Sequence, residues 1–239
     1  MKEWPEIMLI DKPAEITSFD VIRRLRKIYT ENHDRAKAPK MGHAGTLDPL
    51  ATGLMIIGVG AGTKKLQEYI KLDKEYVAEV LIGERRTTGD MEGKVTAEKE
   101  VTETVEIFRS KISTVLKEMQ GTLILPVSAY SAIKKDGVPM YKRARAAAKK
   151  GEEIAEVPMR EMVVYESELL SISYSTVNRT IRAGAGVRFK VGSGTYIRSL
   201  GEELGRRLGY PATLKSLRRT KIGKFNIEDA KRLDKLAND

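Results

Sequence analysis

The segment GHAGTLDPLATG, Gly42 to Gly53, sets one carboxylate, Asp48, among three glycines, one of the chain's two histidines and a proline. Two uses of Asp48 fit that pattern. As a structural residue, an Asp before Pro caps a short helix, with Pro49 at the first helical position. As a chemical one, the glycines allow a ligand close to the backbone, and Pro49 biases Asp48 away from helical geometry. The carboxylate is then presented as a fixed nucleophile. Tyr76 follows Lys74-Glu75 on an expected strand and reads, alone, as a core or half-buried aromatic. Arg198, in GSGTYIRSLGEELG, reads alone as a surface arginine on a helix. An arginine beside Asp48 would keep that carboxylate ionised, and spacing alone does not bring the two together.

Other chemistries are narrowed by what the chain lacks. It has no cysteine, so no thiolate nucleophile, disulfide or cysteine-held metal is available. His33 and His43 are its only histidines. That is too few for a His-rich site or for the His/Cys/Cys set of a zinc deaminase, and leaves only a metal held by carboxylates open. The run GVGAGTKK, Gly58 to Lys65, has glycines but not the four-residue gap and Gly-Lys-Ser/Thr ending of a phosphate loop, and reads as a tight turn between strand and helix. The first ten residues carry charge and an early proline, unlike a secretory segment. The longest apolar stretch, Gly53 to Gly62, is about half of the roughly 20 residues a spanning helix needs. A cytoplasmic protein without a membrane span is expected.

The 239 residues include 43 Lys+Arg against 33 Asp+Glu, a net charge of +10. The excess is concentrated. Residues 23–40, 134–150 and 204–224 together hold 21 basic and three acidic residues, whereas the rest of the chain holds 22 and 30. Each run can be the solvated face of a helix, but three against an acidic background suit a surface that tracks phosphates.

The elements that must position these residues follow from periodicity. Ile7 to Ile10 is a strand stopped by Asp11-Lys12-Pro13, and Thr17 with Asp20 opens a helix from about Ser18 to Thr30 whose outer face carries Arg23, Arg24, Arg26 and Lys27. Residues 31–40 read as an exposed basic loop. Leu54 to Val59 and Glu75 to Ile82 are strands, and Glu84 to Gly93 a connecting loop. Thr102 to Gln120 and Tyr141 to Lys150 are helices. Val163 to Tyr174 and Gly186 to Val191 are strands, Tyr196 to Leu208 a helix ended by Gly209-Tyr210-Pro211, and Ile222 to Ile227 a final strand. With no regular strand–helix alternation, the fold class is α+β rather than doubly wound.

Taken together, the motifs resemble the tRNA pseudouridine synthases of the TruB type. The resemblance rests on IDKP with TSFDVIRRLRK (Ile10 to Lys27), GHAGTLDPLATGLM (Gly42 to Met55), DKEYVAEVLIG with TTGDMEG (Asp73 to Gly93), YSAIKKDGVPMYKRAR (Tyr130 to Arg145), and GTYIRSLGEELG with LRRTKIG (Gly194 to Gly223). It implies a pseudouridine synthase fold, α+β with a central, largely antiparallel mixed sheet, surrounding helices and loops, and a catalytic cleft. It further implies one catalytic domain over residues 1–239, a thumb-like RNA-gripping insertion over 124–160, and no C-terminal PUA domain.

The implied activity is conversion of uridine to pseudouridine at position 55 in the tRNA T-loop, by base flipping and without a cofactor. In that reading Asp48 is the nucleophile, Tyr76 stacks on the target base and is a candidate for removing its C5 proton, and Arg198 pairs with Asp48. Leu217 lines the pocket, His43 packs into the T-loop, Lys134 stands at the entrance, and Gly42 and Thr46 join the substrate-binding set. The expected partner is the T-stem-loop of tRNA, bound by a monomer with no membrane and no obligatory protein partner. Two rivals are a tRNA chaperone or RNA-binding module in which Asp48 is dispensable, and a synthase working on another RNA or in a guide-RNA assembly. Glu15 stands where the family often has Gly, Arg86 where Thr is common, and Leu125 to Ser128 where the family has Gln-x-Pro-Pro.

Overall fold

In a computed structural model of the chain, residues 4–33, 37–131, 133–150, 157–177 and 179–236 are described. They gather into two compact units, Met1–Val77 with Leu217–Asp239, and Ala78–Ser216. Unit one opens with β1 (Ile7–Lys12), α1 (Ser18–Asn32), β2 (Met41–His43), β3 (Thr52–Val59), a 3-10 segment (Gly60–Lys65), α2 (Leu66–Ile70) and the start of β4 (Lys74–Ile82). Unit two holds β5 (Glu84–Arg86), β6 (Val95–Glu98), α3 (Val105–Glu118), β7 (Gly121–Pro126), β8 (Lys134–Lys135), β9 (Val138–Pro139), α4 (Met140–Lys149), β10 (Met159–Val177), β11 (Thr180–Val191) and α5 (Ile197–Leu208). The chain leaves unit two inside β12 (Ala212–Ile222) and ends in unit one with β13 (Phe225–Asn226), β14 (Lys231–Arg232) and α6 (Leu233–Leu236).

In unit one the strands run β14-β1-β3-β12, with β2 added to β3 and β13 to β12; in unit two they run β4-β11-β10-β7. The β1·β14 and β3·β12 pairs are parallel, and β1·β3, β2·β3, β12·β13, β10·β11 and β7·β10 antiparallel. The sheet is therefore mixed, and the α+β class holds.

Helix α1 begins where expected. Thr17 accepts from the Asp20 N–H while Asp20 accepts from the Thr17 N–H, a full capping box. Val21, Ile22, Leu25 and Ile28 form its buried face, each worth about 1.5–3 kcal/mol of apolar burial. The core of unit one gathers Ala44, Leu54, Ile56, Leu66 and Ile222. In unit two Phe108 of α3 meets Tyr210 edge-on at 5.7 Å.

Three expectations are corrected. Glu84–Arg86 is a strand, hairpinned with β6, because Glu84 is buried and ion-paired rather than solvated. The final strand does not begin at Ile222: β12 ends there, and Gly223 (φ +53°) turns the chain into β13. The charged residues of β12 hide its strand character, since Arg219 is buried and only Lys215, Ser216 and Lys221 face solvent. Lastly, β10 and β11 are longer than expected and pair as one antiparallel ladder, β10 taking in exposed residues at both ends and β11 adding Thr180 to Ala185, of which Arg182 to Ala185 are buried. Of the expected basic loop, residues 34–36 lie outside the described residues, as do 132 and 151–156 of the 124–160 insertion.

Candidate active site

Unit one places Asp48, His43, Gly42, Thr46, Tyr76 and Leu217; unit two places Arg198 and Lys134. Asp48 is half-buried in the segment between β2 and β3. The Ala51 N–H donates to the Asp48 carbonyl at 3.1 Å, closing a four-residue turn with Pro49 at its second position. No helix follows, so Asp48 is not a helix cap.

That turn is pinned from three sides. Ser18, the first residue of α1, donates its hydroxyl to the Leu47 carbonyl at 3.0 Å and accepts from the Leu47 N–H at 2.8 Å. Both Ser18 and Leu47 are buried. On the far side, Lys12 is fully buried and donates to the Pro13 and Pro49 carbonyls at 2.9 and 3.1 Å, and the Glu15 N–H donates to Pro49 at 2.9 Å. Glu15 takes φ +67°, a left-handed conformation that suits the Gly common at its place in the resemblance.

The third restraint is Arg219, 1% exposed, which donates to the Leu54 carbonyl at 2.7 Å and the Gly45 carbonyl at 3.2 Å. One guanidinium thus holds both ends of the Asp48 segment. Gly53 makes room for it: it lies opposite Arg219 in the β3·β12 pair with φ +109°, and a Cβ there would overlap the Arg219 backbone.

Arg219 also sets the electrostatics. Burial, then the Arg219 charge, pushes His43 below its ordinary value, so its imidazole is neutral at pH 7. The same two causes lower Lys74 to about 8. Lys74 is buried and donates to the Ile70 and Leu72 carbonyls at 2.6 and 2.5 Å. Tyr76, 8% exposed, shares its face of β4 with Lys74 and Ala78, as period-two alternation requires. Leu217 is buried in β12, and its carbonyl accepts from the Thr52 hydroxyl at 3.4 Å. Gly42 and His43 are half-buried on β2, and Thr46 is exposed.

In unit two, Arg198 is not a surface residue. It is 5% exposed in the first turn of α5 and donates to the Thr88 carbonyl (2.9 Å), the Ser128 hydroxyl (2.8 Å) and the Tyr130 carbonyl (3.3 Å). Buried Asp90 lies 3.7 Å away. Ser128 is therefore a positioning partner in this chain's LPVS variant. Lys134 is exposed at the start of the β8–β9 hairpin.

Reading for site residues passed over Ser18, Lys12, Lys74, Asp90 and Arg219. Each sits inside a motif quoted above, and the missing signal was burial of polar groups. Among the described residues, no group of three or more His, Asp or Glu is arranged to hold a metal ion, and no helix is long and apolar enough to cross a membrane.

The family model described as TruB family pseudouridylate synthase (N terminal domain) matches residues 32–197. The tRNA pseudouridine synthase B of Corynebacterium diphtheriae is 36% identical over 230 residues, covering 96% of this chain and 71% of the relative. That of Desulfotalea psychrophila is 40% identical over 235 residues, covering 98% and 88%. Among solved structures, a chain of an H/ACA RNP bound to a substrate RNA containing 2'-deoxyuridine superposes with a TM-score of 0.66 at 26% identity, covering 97% of this chain. A chain of the archaeal box H/ACA sRNP Nop10–Cbf5 complex gives 0.65 at 26%. This chain spans 52% of each of those two.

Proposed function

The chain belongs to the TruB family of pseudouridylate synthases, and from that premise we propose that it isomerises uridine to pseudouridine at position 55 in the T-loop of tRNA, with Asp48 as nucleophile. The observation that carries this reading is the pinned turn: Ser18, Lys12 and Arg219 hold the residues flanking Asp48, leaving its carboxylate on a backbone with little freedom. The two curated relatives are named for tRNA, which supports that substrate.

The reaction is an exchange of bonds within one nucleotide. The bond from C1′ to N1 breaks, the base turns, a bond from C1′ to C5 forms, a proton leaves C5 and N1 gains one, so no oxidant or reductant is needed. Asp48 attacks the nucleotide and is released at the end. Tyr76 and Leu217 supply a ring and an apolar wall against which a base taken from its stack is held. Arg198 is the arginine that this reading assigns to the Asp48 carboxylate. His43, neutral and beside the Asp48 segment, packs into the T-loop, with Gly42 and Thr46 against the same RNA. Lys134 and α4, within the thumb-like insertion, meet the backbone, and the three basic segments position phosphates without reading sequence. The protein works as a cytoplasmic monomer.

The test is tritium release from C5-labelled uridine in an unmodified tRNA transcript supplied with this protein alone. Release is expected from the wild type, with at least a 10³-fold loss for Asp48→Ala and none from a transcript lacking the T-loop uridine. A wild type that binds the tRNA and releases no tritium would make it a binding module or chaperone. Release that required an added guide RNA would move it to a guide-dependent assembly.

A further inference from the structure

Phe19 is 57% exposed, and among the described residues of unit one it is the one large hydrophobic side chain left open to solvent. The core does not use it. The buried face of α1 is made by Ser18, Val21, Ile22, Leu25 and Ile28, and Phe19 points away from it. The charged group placed against the ring is a guanidinium. The Arg23 guanidinium, one turn along, lies 5.7 Å from the ring centroid and is itself held on Asp20, the capping-box carboxylate. Arg24 and Lys27 continue the solvent side of the helix.

The ring is also tied to the catalytic turn. The preceding residue, Ser18, exchanges two hydrogen bonds with Leu47, the neighbour of Asp48. The ring therefore stands one residue from a strap on the nucleophile's own backbone, on a helix whose start is locked by its cap.

We propose that Phe19 and Arg23 form a stacking platform for an unpaired base of the substrate RNA, beside but separate from the pocket that takes the target uridine. Every base has a π-face, so an exposed ring flanked by cations binds single-stranded nucleic acid with little sequence preference. Arg23 adds a cation–π edge and a phosphate contact. The exposed Arg23, Arg24 and Lys27 on the same helix favour a polyanion over a protein surface. The inference rests on the RNA-isomerase reading for the identity of the polymer.

The experiment compares kcat/KM for a tRNA transcript across the wild type, Phe19→Ala, Phe19→Leu and Phe19→Trp. Phe19→Ala and Phe19→Leu are expected to lose about 5- to 150-fold, mainly in KM, while Phe19→Trp stays within about 2-fold of the wild type. Because the ring is exposed, all four proteins should unfold at the same denaturant concentration. A second readout places the variant indole in a Trp4→Phe background and titrates a T-arm stem-loop, which should quench the fluorescence, whereas inorganic polyphosphate should not. An unaffected Phe19→Ala, or a Phe19→Leu as good as Phe19→Trp, would overturn the platform, as would equal quenching by polyphosphate. If the wild type released no tritium, the isomerase reading would fall while the fluorescence titration still decided the platform.

Discussion

Both units bury arginines, and two of these, Arg182 in unit two and Arg219 in unit one, are handled in opposite ways. Arg182 of unit two, 5% exposed, is clasped by the carboxylates of Glu84 and Glu98, and Glu84 in turn takes Arg86 at 2.5 Å. Arg219 of unit one donates to two backbone carbonyls. Carbonyls satisfy its N–H groups without cancelling its charge. The first arrangement is a neutral strut. The second is a strut whose field reaches its neighbours, lowering both His43 and Lys74. Burying a charge held by carbonyls rather than carboxylates is costly, and unit one accepts that cost beneath the loop that carries Asp48.

Removing each arginine should separate the two roles. Arg182→Met leaves Glu84 buried with only Arg86, and is expected to cost about 3–5 kcal/mol in denaturant unfolding without moving the His43 titration. Arg219→Met loses charge-assisted hydrogen bonds for about 1–3 kcal/mol. It should also raise the His43 pKa, followed by NMR of the ring protons, and lower kcat more than it raises KM. Equal NMR titrations in the two variants would erase the distinction.

A smaller effect sharpens the same contrast through pH. Lys74 titrates at about 8 in the folded protein against 10.5 ordinarily. Between those values the unfolded chain holds a proton that the folded chain has released, so stability rises with pH across the window and is lower beneath it. Allowing for solvent screening, the rise should be about 1–2 kcal/mol, and Lys74→Met should flatten it in unfolding curves taken from pH 7 to 11. The smallest expected change is at Glu15, whose left-handed backbone carries a side chain without need. Glu15→Gly should gain about 1 kcal/mol or less, read as a higher unfolding midpoint.

The same contrast explains which parts were readable in advance. Helix α1 and strand β4 announce themselves, one through Thr17, Asp20 and its apolar spacing, the other through alternation around Tyr76 and Ala78. Asp48 stood out because Gly and Pro crowd it. Strand β12 did not, because Lys215, Arg218, Arg219 and Lys221 look like a solvated run until β3 is laid beside them and Gly53 admits the Arg219 backbone. Likewise β5 is written in Glu and Arg, and becomes a strand through its hairpin with β6 and the pair that Glu84 makes with Arg182, far along the chain. Burial of charge is a long-range decision, and local patterns do not carry it. The Ser18–Leu47 strap spans 29 residues and was invisible for the same reason.

The separation in sequence between Arg219 and the carbonyls it holds, 174 residues to Gly45 and 165 to Leu54, has a meaning in time. A ribosome adds about 5–20 residues each second, so the Asp48 segment exists for roughly ten seconds or more before the residue that closes over it is made. Until then its carbonyls lack that donor. A chain cut short between β3 and Arg219 would carry Asp48 and every residue of its turn yet lack the guanidinium that holds both ends of the segment, so the turn is fully tied only once β12 has been made.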